Sequence, residues 1–194
     1  LMSGGTPGTD SPAYWDGEIP FFTPKDAPEN SYVLKTEKSL TLAGLENCNS
    51  PLYKRNTLFI TARGTVGKLC IAYREMAMNQ SCYALSPKQE GPVFWHYLAL
   101  RNSITYIKGV SQSGVFDNIV LDTFKIVPLL WPESSLVDRF NQIAVPMFGQ
   151  VGVLLEQNAN LTRTRDLLLP RLISGKLAVD ALDIAFPPSL AVGG

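Results

Sequence analysis

From Ser134 to about Ser174 the chain keeps a helical period, and that length limits what the rest can fold into. Seam positions recur at Met147, Val151, Leu154, Asn158, Leu161, Arg165, Leu168 and Leu172, alternately four and three residues apart. This is a heptad seam sustained over nearly four heptads. Globular helices average about 11–12 residues, so a helix of this length predicts a coiled-coil-like element that pairs with another helix. The competing reading is a helix that folds back on its own domain. Asn158 on the seam costs stability but can fix register or partner number. Ser134 or Ser135 can cap the start, with Asp138 available to the first turn. Pro146 and Pro170 each remove a backbone donor and predict a kink or split.

The preceding residues follow another pattern. Prolines 7, 12, 20, 24 and 28 forbid a helix in the first thirty residues, and Glu18 to Thr23 reads as a strand between turns. "NTLFITA" (56–62) and "KLCIAYR" (68–74) are β-branched and aromatic strands, with Gly64 and Gly67 between them. "AMNQSCYALSP" reads as a third strand, with Cys82 and Ala84 on one face and Tyr83 and Leu85 on the other. "PVFWHYLALRNSI" shifts to helical spacing through Phe94, Tyr97, Leu98 and Arg101, opened by Pro92. "SQSGVFDNI" (111–119) is a polar loop, and "DTFKIVPLLWP" a strand ended by Pro128 and Pro132. The fold class is therefore α+β, a mixed domain over 1–132, then a helical spacer over 133–180 and a flexible tail over 181–194.

At 194 residues and 45% apolar content the chain can bury a sizeable core. No apolar run is long enough to span a membrane, and "LMSGGTPGTD" lacks the basic and apolar regions of a signal peptide. Cys48, Cys70 and Cys82 are odd in number with no CxxC spacing, which predicts free buried thiols in a cytoplasmic protein. The single histidine, His96, sits in "VFWHYLAL" and reads as a packed or half-exposed helix residue rather than a metal ligand. The formal net charge is zero, but residues 1–46 hold seven acids against three lysines, and residues 47–116 hold eight cations against two acids. Such segregation can make a local basic surface if those residues share a face.

"RGTVGK" (63–68) places a glycine pair beside a lysine. A phosphate loop of nucleotide hydrolases needs four residues between its glycines and a hydroxyl after the lysine. Here two residues separate Gly64 from Gly67 and Leu69 follows Lys68, so the glycines fit a strand-to-strand turn. No [DE]-x-K tripeptide, [NDS]-P-P-[YFW] box, dinucleotide fingerprint or G-x-S-x-G elbow occurs. The balance points to binding rather than catalysis. Lys25, Arg63, Lys68 and Arg74 are candidates for contact with a phosphate backbone.

The order "SGGTP…YWDGEIPFFTPKD", "LFITARGTVGK", "NQSCYAL", "SGVFDNI", "FKIVPL" and "RDLLLPRLISGKL" resembles the specificity subunit of type I restriction–modification systems, over residues 3 to about 180. The resemblance implies a target recognition domain that reads half of a split duplex DNA sequence. It also implies a long helix that spaces the domains and docks methyltransferase subunits, with a restriction subunit in the full complex. The chain itself would be non-catalytic and prokaryotic, with no cofactor of its own, while the partner methyltransferase uses S-adenosylmethionine. Family recognition lies on loops, which implies Thr23, Lys25, Arg63, Thr65, Lys68, Gln80, Ser111, Gln112 and Ser113 at the DNA, with Arg74 at phosphate. Gln112 can pair bidentately with adenine, and an arginine with guanine. Full subunits carry two domains and two antiparallel helices. One of each here leaves two cases, a half subunit that dimerises through its helix or a fragment of a longer chain. The alternative is a helix-mediated protein-interaction module without DNA binding, which the zero net charge favours slightly.

Overall fold

The structure is a computed structural model, and it describes residues 1–85, 93–110, 124, 129–130 and 132–178. By contact the chain divides into Leu1–Val153 and Leu154–Gly194. The first unit is built on two sheets. The larger has the order β1 (Met2–Ser3), β8 (Cys82–Leu85), β5 (Leu58–Thr61), β6 (Leu69–Ala72) and β3 (Tyr32–Val33). The smaller has the order β4 (Lys38–Leu40), β2 (Trp15–Phe22) and β7 (Ala77–Met78). A short helix α1 (Leu42–Glu46) follows β4, capped by the Thr41 hydroxyl, which accepts from the Gly44 N–H at 3.1 Å. Helix α2 spans Val93–Val110 and α3 spans Ser134–Ile173.

Strand β5 is central and lies antiparallel to β6 and β8. Its register sets Phe59 opposite Cys70 and Ala84, and Thr61 opposite Cys82. Side chains alternate across a strand, so these residues share one face. That face packs on the smaller sheet through Phe22, Met76 and Met78, with the Phe22 and Phe59 rings 5.0 Å apart. Leu58, Ile60 and Ile71 point the other way, with Tyr32 paired to Ile71. On that side Tyr32 meets Phe148 of α3, which stacks on Phe94 of α2 at 4.4 Å. The larger sheet is thus a middle layer, with the smaller sheet on one face and α2 and the start of α3 on the other.

The expected strand at 18–23 begins earlier, at Trp15, and Asp16 takes a left-handed φ of 60° where the β2–β4 register shifts. The third expected strand is two short ones, β7 and β8, broken by a turn at 79–81. Of the expected strand at 122–132, Leu129, Leu130 and Pro132 lie in no strand, and most of the remainder falls outside the described residues. Cys70 and Cys82 are buried free thiols as expected, but Cys48 is only half-buried, on the flank of the smaller sheet's core. Burial pushes the Cys82 thiol up to about 12, so it packs as a neutral apolar group. His96 is half-buried on α2.

Helix α3 starts at Ser134 itself, so its cap position is Glu133, whose carbonyl accepts from Leu136 and Val137. The helix is not split at Pro146 or Pro170. The carbonyls these prolines leave without a helical donor belong to Gln142 and Asp166, both exposed, where water can satisfy them. Within the first unit its buried residues are Val137, Ala144 and Gly152. Gly152 is required there, because a Cβ would lie 2.5 Å from Cε2 of Tyr73. The start of the helix therefore does fold onto its own domain, burying Val137 and Ala144 upstream of the seam and Gly152 beside it, while Met147 and Val151 stay exposed. In the second unit α3 continues to Ile173, and Gly175 with φ of 68° ends it with an N–H bond to the Leu172 carbonyl.

Phe148 touches Tyr32, Phe94 and Tyr97. Phe148→Ala should destabilise the first unit by about 3 kcal/mol, read as a lower urea midpoint at unchanged slope.

Candidate nucleic-acid interface

Thr61 closes β5 with a hydroxyl that is fully buried. That hydroxyl accepts from the Lys68 N–H at 3.0 Å and donates to the Thr65 carbonyl. The Thr61 carbonyl accepts from the Gly67 N–H at 2.8 Å. A buried hydroxyl left without partners costs about 1–3 kcal/mol, so Thr61 fixes the path of the 62–67 loop. Gly64 and Gly67 take φ of 78° and 77°, a conformation that side chains resist. The glycines therefore serve a strand-to-strand turn, and the Gly67 amide is turned into that turn.

Two further loops meet this one. In 23–26 a capping box forms, with the Thr23 N–H and hydroxyl both donating to the Asp26 carboxylate, at 2.8 and 2.7 Å. The other Asp26 oxygen accepts from the Glu37 N–H at 2.7 Å. The Thr65 hydroxyl then donates to the Pro24 carbonyl at 3.2 Å, joining the two loops. The turn at 79–81 is tied in from both sides. Asn79 N–H donates to Phe22 O at 2.9 Å, and Ala62 N–H to Ser81 O at 2.9 Å.

Six of the sequence candidates, Thr23, Lys25, Arg63, Thr65, Lys68 and Gln80, are thus gathered at one end of the sheets. Their states differ. Arg63 and Lys25 are exposed and make no ion pair among the described residues. The Thr23 hydroxyl is spent on Asp26. Gln80 accepts from the Thr6 hydroxyl at 2.6 Å, which leaves its amide N–H groups as donors. Lys68 is paired with the exposed Glu29 carboxylate, whose acidity it strengthens.

Arg74 does not join them. Antiparallel pairing puts residues 73–75 at the end of the β5–β6 hairpin opposite the 62–67 loop, next to Lys54 and Arg55. There the Arg55 guanidinium lies 4.9 Å from the centre of the Tyr73 ring. Ser111, Gln112 and Ser113 lie outside the described residues. The expected separation of charge does not survive folding either. Asp26 and Glu29, from the acidic first stretch, sit beside the basic hairpin. Sequence reasoning missed Thr61, Asp26 and Glu29. The Thr23–Asp26 pair had a local signal, a threonine three residues before an acid, whereas Glu29 meets Lys68 only through the fold.

On the helix the seam residues Met147, Val151, Leu154, Asn158, Leu161, Arg165, Leu168 and Leu172 are all exposed, with Leu161 at 67%. Leu136 and Ile143 are also exposed nearer the start of α3, each one residue before the positions, 137 and 144, where the heptad spacing would fall. Arg165 pairs with the adjacent Asp166 at 2.7 Å. No helix among the described residues is long and apolar enough to cross a membrane. No group of three or more potential metal ligands comes together among them.

Residues 2–135 match the family model of the type I restriction modification DNA specificity domain. The type I restriction enzyme MjaIX specificity subunit of Methanocaldococcus jannaschii is 30% identical over 140 residues, covering 70% of this chain and 32% of that protein. The HindI specificity subunit of Haemophilus influenzae is 24% identical over 180 residues, covering 91% and 39%. Among solved structures, the HsdS subunit from Thermoanaerobacter tengcongensis aligns with a TM-score of 0.52 at 18% identity, over 90% of this chain and 42% of that one. The S subunit of the type I restriction–modification system from M. genitalium aligns with a TM-score of 0.57 at 19% identity, over 87% and 42%. The chain thus spans about a third to two fifths of the length of these relatives.

Thr61→Val removes the hydroxyl and keeps the shape. We expect a loss of about 1–3 kcal/mol and faster hydrogen exchange at the Lys68 and Gly67 amides, with exchange at Phe59 much less affected.

Proposed function

Because the chain belongs to the type I restriction modification DNA specificity domain family, we propose that it recognises one half of a split duplex DNA target and is not itself catalytic. The single observation that carries this is the convergence of three loops, 23–26, 62–67 and 79–81, into one hydrogen-bonded platform presenting Lys25 and Arg63 to solvent. Base readout needs side chains held in register by backbone contacts. A platform anchored on a buried core hydroxyl supplies that rigidity. Lys25, Arg63 and Lys68 then meet phosphate, while Gln80 carries donors and Thr65 an acceptor oxygen toward base edges, with Ser111, Gln112 and Ser113 as the further loop of the same set. Arg74 faces another part of the surface and is the weakest member.

The partners follow from the exposed seam. An apolar heptad stripe in water favours burial against another helix. We assign it to a second spacer helix, from a second copy of the chain or from the remainder of a longer one, and to methyltransferase subunits with an associated restriction subunit. The domain division at 132/133 and a cytoplasmic, prokaryotic setting belong to the same reading.

A gel-shift titration of the chain on duplex DNA tests it. Affinity should fall as salt rises, log K against log salt being linear. Arg63→Ala should weaken binding to all duplexes alike and lower the salt slope by about one. No duplex binding at low salt would return the chain to a helix-mediated interaction module. Leu161→Asp should abolish helix pairing, seen by light scattering or by loss of a co-purified methyltransferase, while duplex affinity of the domain stays unchanged. A wild-type chain that stays monomeric at every concentration and captures no methyltransferase would remove the seam's assigned role.

A further inference from the structure

Beside the loop platform lies a cavity of about 240 Å³, lined among others by Glu29, Asn30, Gly67, Lys68, Tyr97 and Arg101. It sits between the 28–30 segment, the Gly67–Leu69 end of the hairpin and α2. Lys68 and Arg101 both border it, and Lys68 is engaged by a carboxylate of the same chain. We propose that this cavity receives a backbone phosphodiester, with Lys68 and Arg101 as its cations and Glu29 as the carboxylate that holds Lys68 until the phosphate displaces it. The proposal rests on the DNA-recognition reading and adds to it a second cation, from α2, and a built-in competitor.

The chemistry of the pair supports this assignment. A carboxylate and a phosphodiester are both oxyanions, and lysine takes either as a point charge. The Lys68 ammonium holds the Glu29 carboxyl below the usual carboxylate range, so the competitor is charged at neutral pH. The Glu29 side chain is 90% exposed, whereas Lys68 is 35% exposed. Such a pair is weak and screened, so a polyanion can break it without moving the hairpin. Lys68 is meanwhile fixed at its backbone, because its N–H donates to the buried Thr61 hydroxyl. Asn30 Oδ1 accepts from the Tyr32 N–H at 3.2 Å, which leaves the Asn30 amide N–H groups as donors at the rim. The space is large enough for a tetrahedral phosphate group, since it holds several times the roughly 30 Å³ of one water.

The consequence concerns specificity. Every duplex offers phosphate, so a carboxylate competing at a phosphate site lowers affinity for all sequences and leaves base readout untouched. Glu29 therefore lowers non-specific occupancy and raises dependence on the correct bases.

Fluorescence anisotropy of the full chain on mixed-sequence duplexes, at several salt concentrations, tests this. Glu29→Gln should tighten binding about two- to fivefold on every duplex. Lys68→Ala and Arg101→Ala should each weaken binding and lower the salt slope by about one. Glu29→Gln in the Lys68→Ala background should give no gain, since Glu29 acts through Lys68. Unchanged affinity in Glu29→Gln, or a gain that persists without Lys68, overturns the proposal. Inorganic phosphate at low millimolar concentration should neither compete with duplex nor raise the melting temperature. If it raises the melting temperature without competing with duplex, the cavity is a free-phosphate site and the DNA assignment fails. Duplex binding by wild type with Glu29→Gln unchanged sinks the cavity alone. No duplex binding by any of the proteins sinks the DNA reading with it.

Discussion

Strand β5 carries the architecture, because all four of its residues, Leu58 to Thr61, are buried. A strand buried on both faces has no solvent side to absorb error. Phe59 is committed to the layer with Phe22 and Tyr53, where the ring centres lie 5.0 and 5.5 Å apart. Ile60 and Leu58 are committed to the helical side. A slip of one residue would exchange the two sets and put the Thr61 hydroxyl among helix-facing apolar groups. The same strand therefore fixes both the core and the point where the core becomes polar. At Thr61 the backbone leaves the sheet, and its hydroxyl replaces sheet pairing by holding Lys68 and Thr65. The loop platform inherits its rigidity from the core rather than from its own composition, which is glycine-rich and would otherwise wander.

Electrostatics in this molecule are decided by topology more than by sequence blocks. Along the chain, acids precede cations in two stretches of opposite sign. In the fold, β2 and the segment after it run alongside the basic hairpin, so Asp26 and Glu29 arrive at the cations. Their roles diverge there. Asp26 is consumed by Thr23 and by the Glu37 amide, and it orders a loop. Glu29 remains exposed, and its one ion pair among the described residues is with Lys68. An exposed pair of that kind adds little to stability. Its effect is on what else Lys68 can bind.

How much of this is legible in the sequence depends on the range of the contacts involved. β5, β6 and the glycine turn between them are local, and β-branched density with two glycines is enough to place them. The division of Cys82 and Ala84 from Tyr83 and Leu85 follows from alternation and is what the structure contains. The two-residue strands β1 and β3 carry no periodicity that a pattern can detect. They exist because β8 and β6 offer open edges to pair with. Sequence proximity groups Arg74 with Arg63 and Lys68 because it hides direction. A four-residue antiparallel strand is enough to carry it to the far end of the hairpin. The Lys68–Glu29 contact spans 39 residues and leaves no trace in composition.

The helix shows how one element can satisfy two readings that look exclusive in sequence. At 3.6 residues per turn, Val137, Ala144, Phe148 and Gly152 fall on one stripe. Met147, Val151, Leu154 and Asn158 fall on another, about a quarter turn away. The first stripe is covered by Tyr32, Tyr73, Phe94 and Tyr97. The second keeps the alternating four-and-three spacing from Met147 to Leu172, with large apolar side chains exposed. Tertiary packing rather than propensity supplies most of the stability of helices in proteins. Beyond Val153 the described side chains of α3 are exposed or at most half-buried, so there the seam is the apolar stripe of regular period that can supply such packing. A second helix of matching period is the partner geometry that buries Leu154, Leu161, Leu168 and Leu172 together. Asn158, at the middle of that series, then tolerates one alignment better than others.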